Sequence, residues 1–273
     1  MKPMVPIKHQ STRWFFTQHG KLPKLTKPIL IEGLPGIGNV GKVAVDFIIE
    51  ELKAVKIYDI FSYTFPHSVF VNEQNMVELP SIEMYYKKYD GKRSDLLLLA
   101  GDIQPVDEVA SYEFCDGILD IFEQFKGQEV ITLGGIGLHQ VGVVPKVYTT
   151  GNSKDIIKRY ASDTGMIDKL YGVVGPIVGA SGLLLGLAQR RNIPAVTLLA
   201  ETIAHPMYLG IKGAREISKV LDKKLQLKLS IRKLDREINE LEREMLKTTK
   251  ELTNVQKQTA LRKFKVREQD YIG

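Results

Sequence analysis

The stretch that decides the fold class runs from Pro28 to Lys42 and reads PILIEGLPGIGNVGK. It begins with an apolar run, Pro28–Glu32, that is typical of a short buried strand, and the glycines that follow are typical of a tight turn. An amphipathic pattern over Asn39–Leu52 then predicts a helix. A strand, a glycine turn and a helix in this order form the opening unit of an α/β sheet, so this stretch predicts an α/β fold.

The glycine-rich turn at residues 33–42 has two interpretations. Gly36, Gly38 and Gly41 have the G-x-G-x-x-G spacing at which backbone amides approach a pyrophosphate, and Lys42 completes most of a phosphate-loop pattern. Asp59 ends the next predicted strand, about the right distance along the chain to meet a ribose. The alternative is architectural, because glycines are also needed to make a tight turn and to pack a helix on a sheet. The sequence leaves both interpretations open.

Apolar runs and amphipathic stretches alternate along the rest of the body. Further helices are predicted at Val106–Phe125, Ser153–Ala161 and Gly179–Arg190. Further strands are predicted at Val55–Phe61, His67–Val71, Val77–Tyr86, Asp95–Ala100, Glu129–Leu133, Tyr171–Gly175 and Ala195–Ala200. This alternation predicts a three-layer α/β/α sandwich with a mixed, mainly parallel sheet, in which the helix-free region 60–89 is an antiparallel excursion. Two more glycine turns, at 134–137 and 175–182, are expected to line the same edge of the sheet.

After Gly213 the pattern changes to a seven-residue repeat without proline or glycine. One position of the repeat holds Ile217, Ile231, Ile238, Met245, Leu252 and Thr259, the other holds Val220, Leu227, Leu234, Leu241, Thr248 and Val255, and Lys224 is a charged intruder. Such a repeat favours a long helical hairpin or a coiled coil. We therefore expect a body at 1–210, a helical extension at 211–267 and a flexible tail at 268–273.

The net charge of +6 is concentrated in the extension. Residues 211–267 carry 17 Lys and Arg against 8 Asp and Glu, whereas residues 1–210 carry 21 against 22. A body without excess positive charge argues against nucleic-acid binding, so no DNA partner is expected. The basic extension is suited to an acidic surface on a protein partner.

The composition is that of an ordinary globular protein, with 273 residues of which 44% are hydrophobic and 26% charged. Cys115 is the only cysteine, which excludes an intrachain disulfide and a multi-cysteine metal cluster. No apolar stretch reaches the roughly 20 residues of a membrane span, and the first twenty residues lack the apolar core of a secretory signal. We therefore expect a cytoplasmic protein without a membrane partner.

No arrangement of residues in the sequence nominates a chemical reaction. The five histidines lack metal-ligand spacing. His139 follows the second glycine turn and His205 precedes Pro206, and we interpret both as hydrogen-bonded structural groups. Glu201 and Asp102 lie just beyond predicted strand ends, where they are candidates for an acid or a base, but helix capping is the favoured interpretation. We expect no enzyme activity, no metal and no cofactor, and nucleotide binding at the glycine turn is the alternative.

Three runs in order along the chain carry a resemblance to a known family. Residues 28–42, 173–186 and 193–202 resemble the archaeal homologues of the proteasome-assembly chaperones. The resemblance implies a body similar to that of the purine nucleoside phosphorylases, without their catalytic residues, and a scaffolding factor that binds the proteasome α-subunit ring. We expect a non-enzymatic chaperone or adaptor that forms homo-oligomers, with a second family member as a further candidate partner. Some similar proteins are grouped as ATP-grasp-like, which is the basis of the nucleotide alternative.

The last six residues, 268–273, read EQDYIG. Proteins of the family that this chain resembles often bind α-ring pockets through their last three residues, which are a hydrophobic residue, a tyrosine and any residue. This ending offers a carboxylate and an aromatic ring to the pocket. In this chain Tyr271 is third from the end, and Asp270 replaces the hydrophobic residue, so the strict motif is absent. We expect the extension to bind the partner, with Tyr271, Ile272 and Gly273 as the contact residues of the tail.

Overall fold

A computed structural model describes residues 14–91, 93–172, 175–205, 208–236 and 238. The helices are α1 (Val40–Leu52), α2 (Glu108–Gln124), α3 (Lys154–Ala161), α4 (Ala180–Arg190) and α5 (Ile211–Leu225). The strands are β1 (Trp14–Gln18), β2 (Ile29–Glu32), β3 (Val55–Ser62), β4 (Phe70–Val71), β5 (Val77–Glu78), β6 (Ile82–Lys87), β7 (Leu96–Gly101), β8 (Glu129–Leu138), β9 (Val147–Gly151) and β10 (Ala195–Ile203).

Eight of these strands form one sheet in the order β1-β3-β6-β7-β2-β8-β10-β9. The four central strands, β7, β2, β8 and β10, run parallel to one another. The strands on both flanks pair antiparallel. The mixed α/β fold that the sequence predicts is confirmed, and parallel pairing is confined to the centre of the sheet. β4 and β5 form a separate two-stranded hairpin.

Helices cover both faces of the sheet. On one face α2 and α4 pack against each other, and their side chains share a core with Leu30, Leu97 and Val130 of the central strands. Successive residues of a strand point to opposite faces, so the fully buried Ile31 and Leu98 face the other layer. That layer is formed by α1 and α5, which pack on each other and on β7, β8 and β10. Strands covered on both faces have no polar alternation, which explains the continuous apolar run of β7.

The predicted strands differ from the observed ones at the periphery of the sheet. The edge strands β1 and β9 are not predicted by the sequence pattern, because each is short and only partly apolar. Of the predicted strand Tyr171–Gly175, residues 173 and 174 lie outside the described residues, while Tyr171 is fully exposed, and the described residues on either side of the gap, Gly172 and Gly175, belong to no strand. A short apolar run does not by itself distinguish a strand from a loop.

The predicted glycine turn at 134–137 is also wrong. β8 continues through these residues to Leu138 and pairs with β10 as far as Ile203. A Cβ added at Gly135 would lie 2.3 Å from the carbonyl oxygen of Ile37. Gly135 is therefore needed within the strand, because the backbone of the glycine-rich turn at residues 33–42 comes close to it.

The body extends beyond the predicted boundary at residue 210. α5 packs against α1 and β10, and its repeat residues Ile217 and Val220 are buried. The chain divides into two compact units, 1–229 and 230–273. The expected boundary differs because the apolar positions of α5 fit an ordinary surface helix as well as they fit a heptad repeat.

The helical pattern predicted from 211 onward is interrupted at residues 226–230. Gln226 and Lys228 adopt left-handed backbone conformations, and Leu227 and Leu229 are buried. Residues 231–236 are helical again. The remaining positions of the repeat, from Leu241 onward, and the tail residues lie outside the described residues.

Candidate functional site

Four parallel strands end at one edge of the sheet, which we call the carboxyl edge. β7 ends there at Gly101, β2 at Glu32, β8 at Leu138 and β10 at Ile203. β2 has β7 on one side and β8 on the other, so the strand order reverses at β2. In open α/β sheets a ligand crevice lies at the carboxyl ends of the strands where this reversal occurs. The carboxyl edge is therefore the candidate functional site.

The glycine-rich turn at this edge is filled by protein atoms. Gly38 has φ +61°, and a Cβ at this residue would lie 2.5 Å from the Oγ1 atom of Thr202. A Cβ at Gly41 would lie 2.4 Å from the carbonyl oxygen of Leu133. The amide of Gly210 donates a 2.7 Å hydrogen bond to the Gly38 carbonyl oxygen. These contacts favour the architectural interpretation of the turn, since β8, β10 and the entry to α5 occupy the space around its glycines.

Gly36 differs from the other glycines of the turn. Its φ of −157° is ordinary extended backbone, and a Cβ built on it would have no heavy atom within 4 Å. Gly36 and Gly38 therefore lie in the turn and Gly41 and Lys42 in the first turn of α1, and of the three glycines only Gly36 faces open space. The Nζ atom of Lys42 lies 3.0 Å from Asp46 and 3.7 Å from Asp102, so its charge is directed at carboxylates of the protein.

The structure does not bring Asp59 to the glycine turn. Asp59 lies in β3, and β6 and β7 separate this strand from β2. Its carboxylate contacts the ring of His19 at 2.5 Å and the ammonium of Lys56 at 2.9 Å. Partial burial alone would raise the pKa of Asp59, but the contacts with Lys56 and His19 outweigh it, so the pKa is lowered. Asp59 belongs to an ion-pair cluster on the outer part of the sheet.

A buried carboxylate joins three elements at the carboxyl edge. Glu32, the last residue of β2, is fully buried. It accepts a 3.0 Å hydrogen bond from the amide of Leu34 in the turn and a 2.9 Å hydrogen bond from the hydroxyl of Ser181 in α4. Burial raises the pKa of Glu32 to about 7, while these hydrogen bonds act in the opposite direction. Glu32 is not among the site residues that the sequence predicts, and its only signal there is a glutamate that ends an otherwise apolar strand.

Gln104 makes a second connection across the same edge. Its side-chain amide donates a 2.8 Å hydrogen bond to the carbonyl oxygen of Pro35. Its side-chain oxygen accepts a 3.1 Å hydrogen bond from the amide of Ala180, the first residue of α4. Together, Glu32 and Gln104 fix the turn, the start of α4 and the loop after β7 relative to one another.

The other polar residues that the sequence places near this edge also bond within the protein. Glu201 accepts hydrogen bonds from the Lys146 amide at 3.0 Å and from the Tyr148 hydroxyl at 3.2 Å. Asp102 accepts hydrogen bonds from Ser81. Neither carboxylate caps a helix, contrary to the expectation, because the partners lie on neighbouring strands and their connections. Burial raises the pKa of the Cys115 thiol well above its ordinary value, which keeps it in the unreactive thiol form.

Among the residues that the structure describes, no group of three or more His, Cys, Asp or Glu is arranged to hold a metal ion. No helix within the described ranges has both the length and the apolar character needed to cross a bilayer. The tail residues Tyr271, Ile272 and Gly273 lie outside these ranges, so partner binding through them stays a prediction.

The model of the PAC2 family matches residues 30–249 of the chain. An uncharacterised protein of Methanocaldococcus jannaschii, MJ1210, is 32% identical over 185 residues, which are 68% of each chain.

Two solved structures from Pyrococcus furiosus are similar to this one. PbaB, described as an archaeal proteasome activator, is 31% identical with a TM-score of 0.80, and the match covers 87% of this chain and 99% of PbaB. PbaA, described as an archaeal homologue of proteasome-assembly chaperone, is 24% identical with a TM-score of 0.74, and the match covers 96% of this chain and 100% of PbaA. The likeness to PbaA concerns the fold.

Proposed function

This chain belongs to the PAC2 family, and from that premise we propose that it is a non-enzymatic proteasome-assembly chaperone or adaptor. The observation that carries the proposal is the likeness to PbaB, which extends over nearly the whole of that activator and is a likeness of sequence as well as of fold. The proposed partner is the proteasome α-subunit ring. A second copy of the chain and a second family member are further partners of the proposal.

The state of the carboxyl edge supports a non-enzymatic role. Its buried carboxylates, Glu32 and Glu201, are hydrogen-bonded to groups of the protein itself. Such bonds fix the backbone at this edge, whereas a general acid or base needs its carboxylate aimed at a substrate. The edge therefore offers a fixed surface for a partner.

The proposed contact with the α-subunits lies in the C-terminal part of the chain. Residues 211–267 carry a net charge of +9, from 17 Lys and Arg against 8 Asp and Glu. This charge complements an acidic partner surface and would raise the association rate at low salt. Tyr271, Ile272 and Gly273 are the proposed contact residues of the tail, and Tyr271 supplies an aromatic ring for a pocket of the partner.

Co-purification with a recombinant α-subunit ring tests the proposal. We expect the full chain to bind the ring in low salt, and a chain lacking Asp270–Gly273 to bind less. Tyr271→Ala should reproduce the loss, while Gln269→Ala, a control in the same segment, should bind like the wild type. Failure of the full chain to bind an intact ring in low salt would contradict the proposal, whereas binding that survives truncation would move the contact away from the tail.

A further inference from the structure

The exposed apolar side chains of this protein are concentrated at one place. Within the described ranges, seventeen large apolar side chains are exposed by more than a third, and sixteen of them lie on the loops and helix starts of the carboxyl edge. The exception is Val55, which begins β3 at the opposite edge. The sixteen are Ile37, Tyr63, Val69, Phe70, Val71, Met76, Val77, Leu79, Val106, Val109, Tyr112, Val143, Val144, Tyr171, Val178 and Leu209. A concentration of exposed apolar side chains in one region is typical of an interaction surface.

A projecting hairpin carries six of these side chains. We call residues 66–79, which contain β4 and β5, the arm. None of its residues is buried, and β4 and β5 pair only with each other. An isolated two-stranded hairpin is at best marginally stable in water and needs an apolar surface to pack on. The described residues of the same chain do not provide this surface, because Phe70, Val71 and Val77 remain 45–71% exposed.

The opposite end of the carboxyl edge offers a surface of matching character. A cavity of about 370 Å³ opens between the loop before β9 and α5. Apolar side chains line part of it, including Val144, which is 59% exposed, and Met166. Val143, beside the cavity in the chain, is 87% exposed. The cavity therefore combines a concave shape with an exposed apolar rim.

The charges of the two ends are complementary. The arm carries Glu73 and Glu78 and contains no lysine or arginine. The cavity is lined by Lys146, Lys219 and Lys223 against a single carboxylate, Glu216. The adjoining loop after β7 adds to the acidic end, since residues 102–112 hold three carboxylates and no basic residue. Opposite charges at the two ends of one edge favour contact between the acidic end of one molecule and the basic end of another.

We propose that the carboxyl edge is a self-association surface, in which the arm of one copy packs into the lysine-lined cavity of a second copy. The inference deepens the self-association that belongs to the proposed function, and it does not depend on binding to α-subunits. A stable interface takes about 800 Å² from each partner, contributed by about 20–30 residues. The sixteen exposed side chains together with Glu73, Glu78, Lys146, Glu216, Lys219 and Lys223 make 22 residues, a number within that range.

The occupant is a second copy because one chain carries both complementary parts. A twofold arrangement would place each arm in the other molecule's cavity, and a head-to-tail arrangement would join arm to cavity around a ring. Both arrangements bury the arm, the adjoining apolar side chains and the cavity rim in a single step.

Sedimentation velocity on the full chain tests the proposal with two variants that both replace exposed valine by glutamate. Val71→Glu combined with Val77→Glu places two charges on the arm, and we expect the dissociation constant for self-association to rise at least about tenfold. Val55→Glu places a charge on the exposed valine at the opposite edge and should leave self-association unchanged. A monomeric wild-type protein, or an arm variant that self-associates like the wild type, would overturn the proposal. Circular dichroism of the arm variant establishes that its body is folded.

Charge reversal tests which surface receives the arm. One variant combines Glu73→Lys with Glu78→Lys, and the other combines Lys146→Glu with Lys223→Glu. Each alone should self-associate more weakly than the wild type, and an equimolar mixture should form mixed oligomers, because the reversed arm then meets a reversed cavity. A mixture that stays as dissociated as its components would exclude the cavity as the receiving surface. The α-ring co-purification is independent of both experiments, so failure of this inference leaves the proposed partner to be judged separately.

Discussion

At the scale of single residues, Gly36 and Gly38 show how two glycines of one turn serve different needs. Gly38 has a left-handed backbone and lies against Thr202, whereas Gly36 has an extended backbone and faces open space. Their place in the same motif predicts equal importance if the turn exists to cradle a phosphate. Their surroundings predict unequal importance if the turn exists to pack the helix α1 on the sheet.

We therefore expect Gly38→Ala to lower the free energy of unfolding by about 2 kcal/mol, because a left-handed alanine costs about 1–2 kcal/mol and its Cβ would collide with Thr202. The matched variant Gly36→Ala should change it by less than about 0.5 kcal/mol. Urea denaturation of both variants measures the difference. Equal stabilities for the two variants would contradict the architectural interpretation, as would a heat of ATP binding in calorimetry that Gly36→Ala abolishes.

Glu32 is the second residue whose surroundings decide its behaviour. It is fully buried, and burial raises its pKa to about 7 from an ordinary value of 4.5. Between these two pH values the folded state holds a proton that the unfolded state has released. The stability contributed by this proton is fully present below about pH 4.5 and is lost as the pH rises through about 7.

We expect Glu32→Gln to be more stable than the wild type at pH 8 and to remove this part of the pH dependence. The shift corresponds to about 3 kcal/mol between pH 4.5 and pH 8. Denaturation in urea at pH 5, 6, 7 and 8 measures the slope, and Glu73→Gln on the exposed arm serves as the control. A wild-type stability that rises steadily over this range while the glutamine variant runs parallel to it would refute the assignment.

At the scale of elements, Arg191 joins α4 to α2. Its guanidinium lies 2.7 Å from Asp116, 2.7 Å from Asp120 and 3.0 Å from Glu123, three carboxylates on one side of α2. The planar fork of arginine donates to several carboxylates at once, and the side chain is only 21% exposed. Arg191 therefore holds the two helices of one layer in register.

Arg191→Ala should lower the free energy of unfolding by about 2 kcal/mol, because it removes charge-assisted hydrogen bonds and leaves three carboxylates close together. Arg190→Ala, a change at the exposed neighbouring position, is the control and should be nearly neutral. Thermal unfolding followed by circular dichroism compares the two. Equal unfolding midpoints for Arg191→Ala and Arg190→Ala would show that the ion pairs of Arg191 do not contribute measurably to stability.

The helices and strands also show which parts of the fold can be predicted from the sequence pattern. The central strands and the four body helices before residue 191 are predictable because burial on both faces gives unbroken apolar runs, and an amphipathic helix repeats every 3.6 residues. The edge strands β1 and β9 are not predictable in this way, since pairing with β3 and β10 supplies the stability that their own patterns do not show. The glycines of β8 resemble a turn in the sequence. The contact that requires a glycine at residue 135 is the close approach of the Ile37 carbonyl oxygen, and Ile37 is distant in the chain.

At the scale of the whole molecule, the proposed self-association and the proposed binding to the α-ring would be coupled by avidity. An oligomer that presents several C-terminal extensions to one α-ring gains effective concentration after the first contact, which raises the overall affinity without any new contact. A monomer has the same contact residues and loses that gain.

The arm variant Val71→Glu with Val77→Glu should therefore bind an immobilised α-ring at least about tenfold more weakly than the wild type, although its extension is unchanged. Val55→Glu should bind like the wild type. Surface plasmon resonance at low protein density on the sensor measures both affinities. Equal affinities for the arm variant and the wild type, with self-association lost, would mean that one chain is sufficient for binding.

The sequence by itself determined the α/β class and the order of the central elements, because each depends on local composition or on a short-range period. Only the tertiary structure decided that Ser181 bonds to Glu32, 149 residues away, that Thr202 fills the space at Gly38, and that nearly all exposed large apolar side chains of the described residues share one edge. The physical reason is that hydrogen bonding, close packing and exposure are properties of pairs and surfaces, which exist only once distant segments meet.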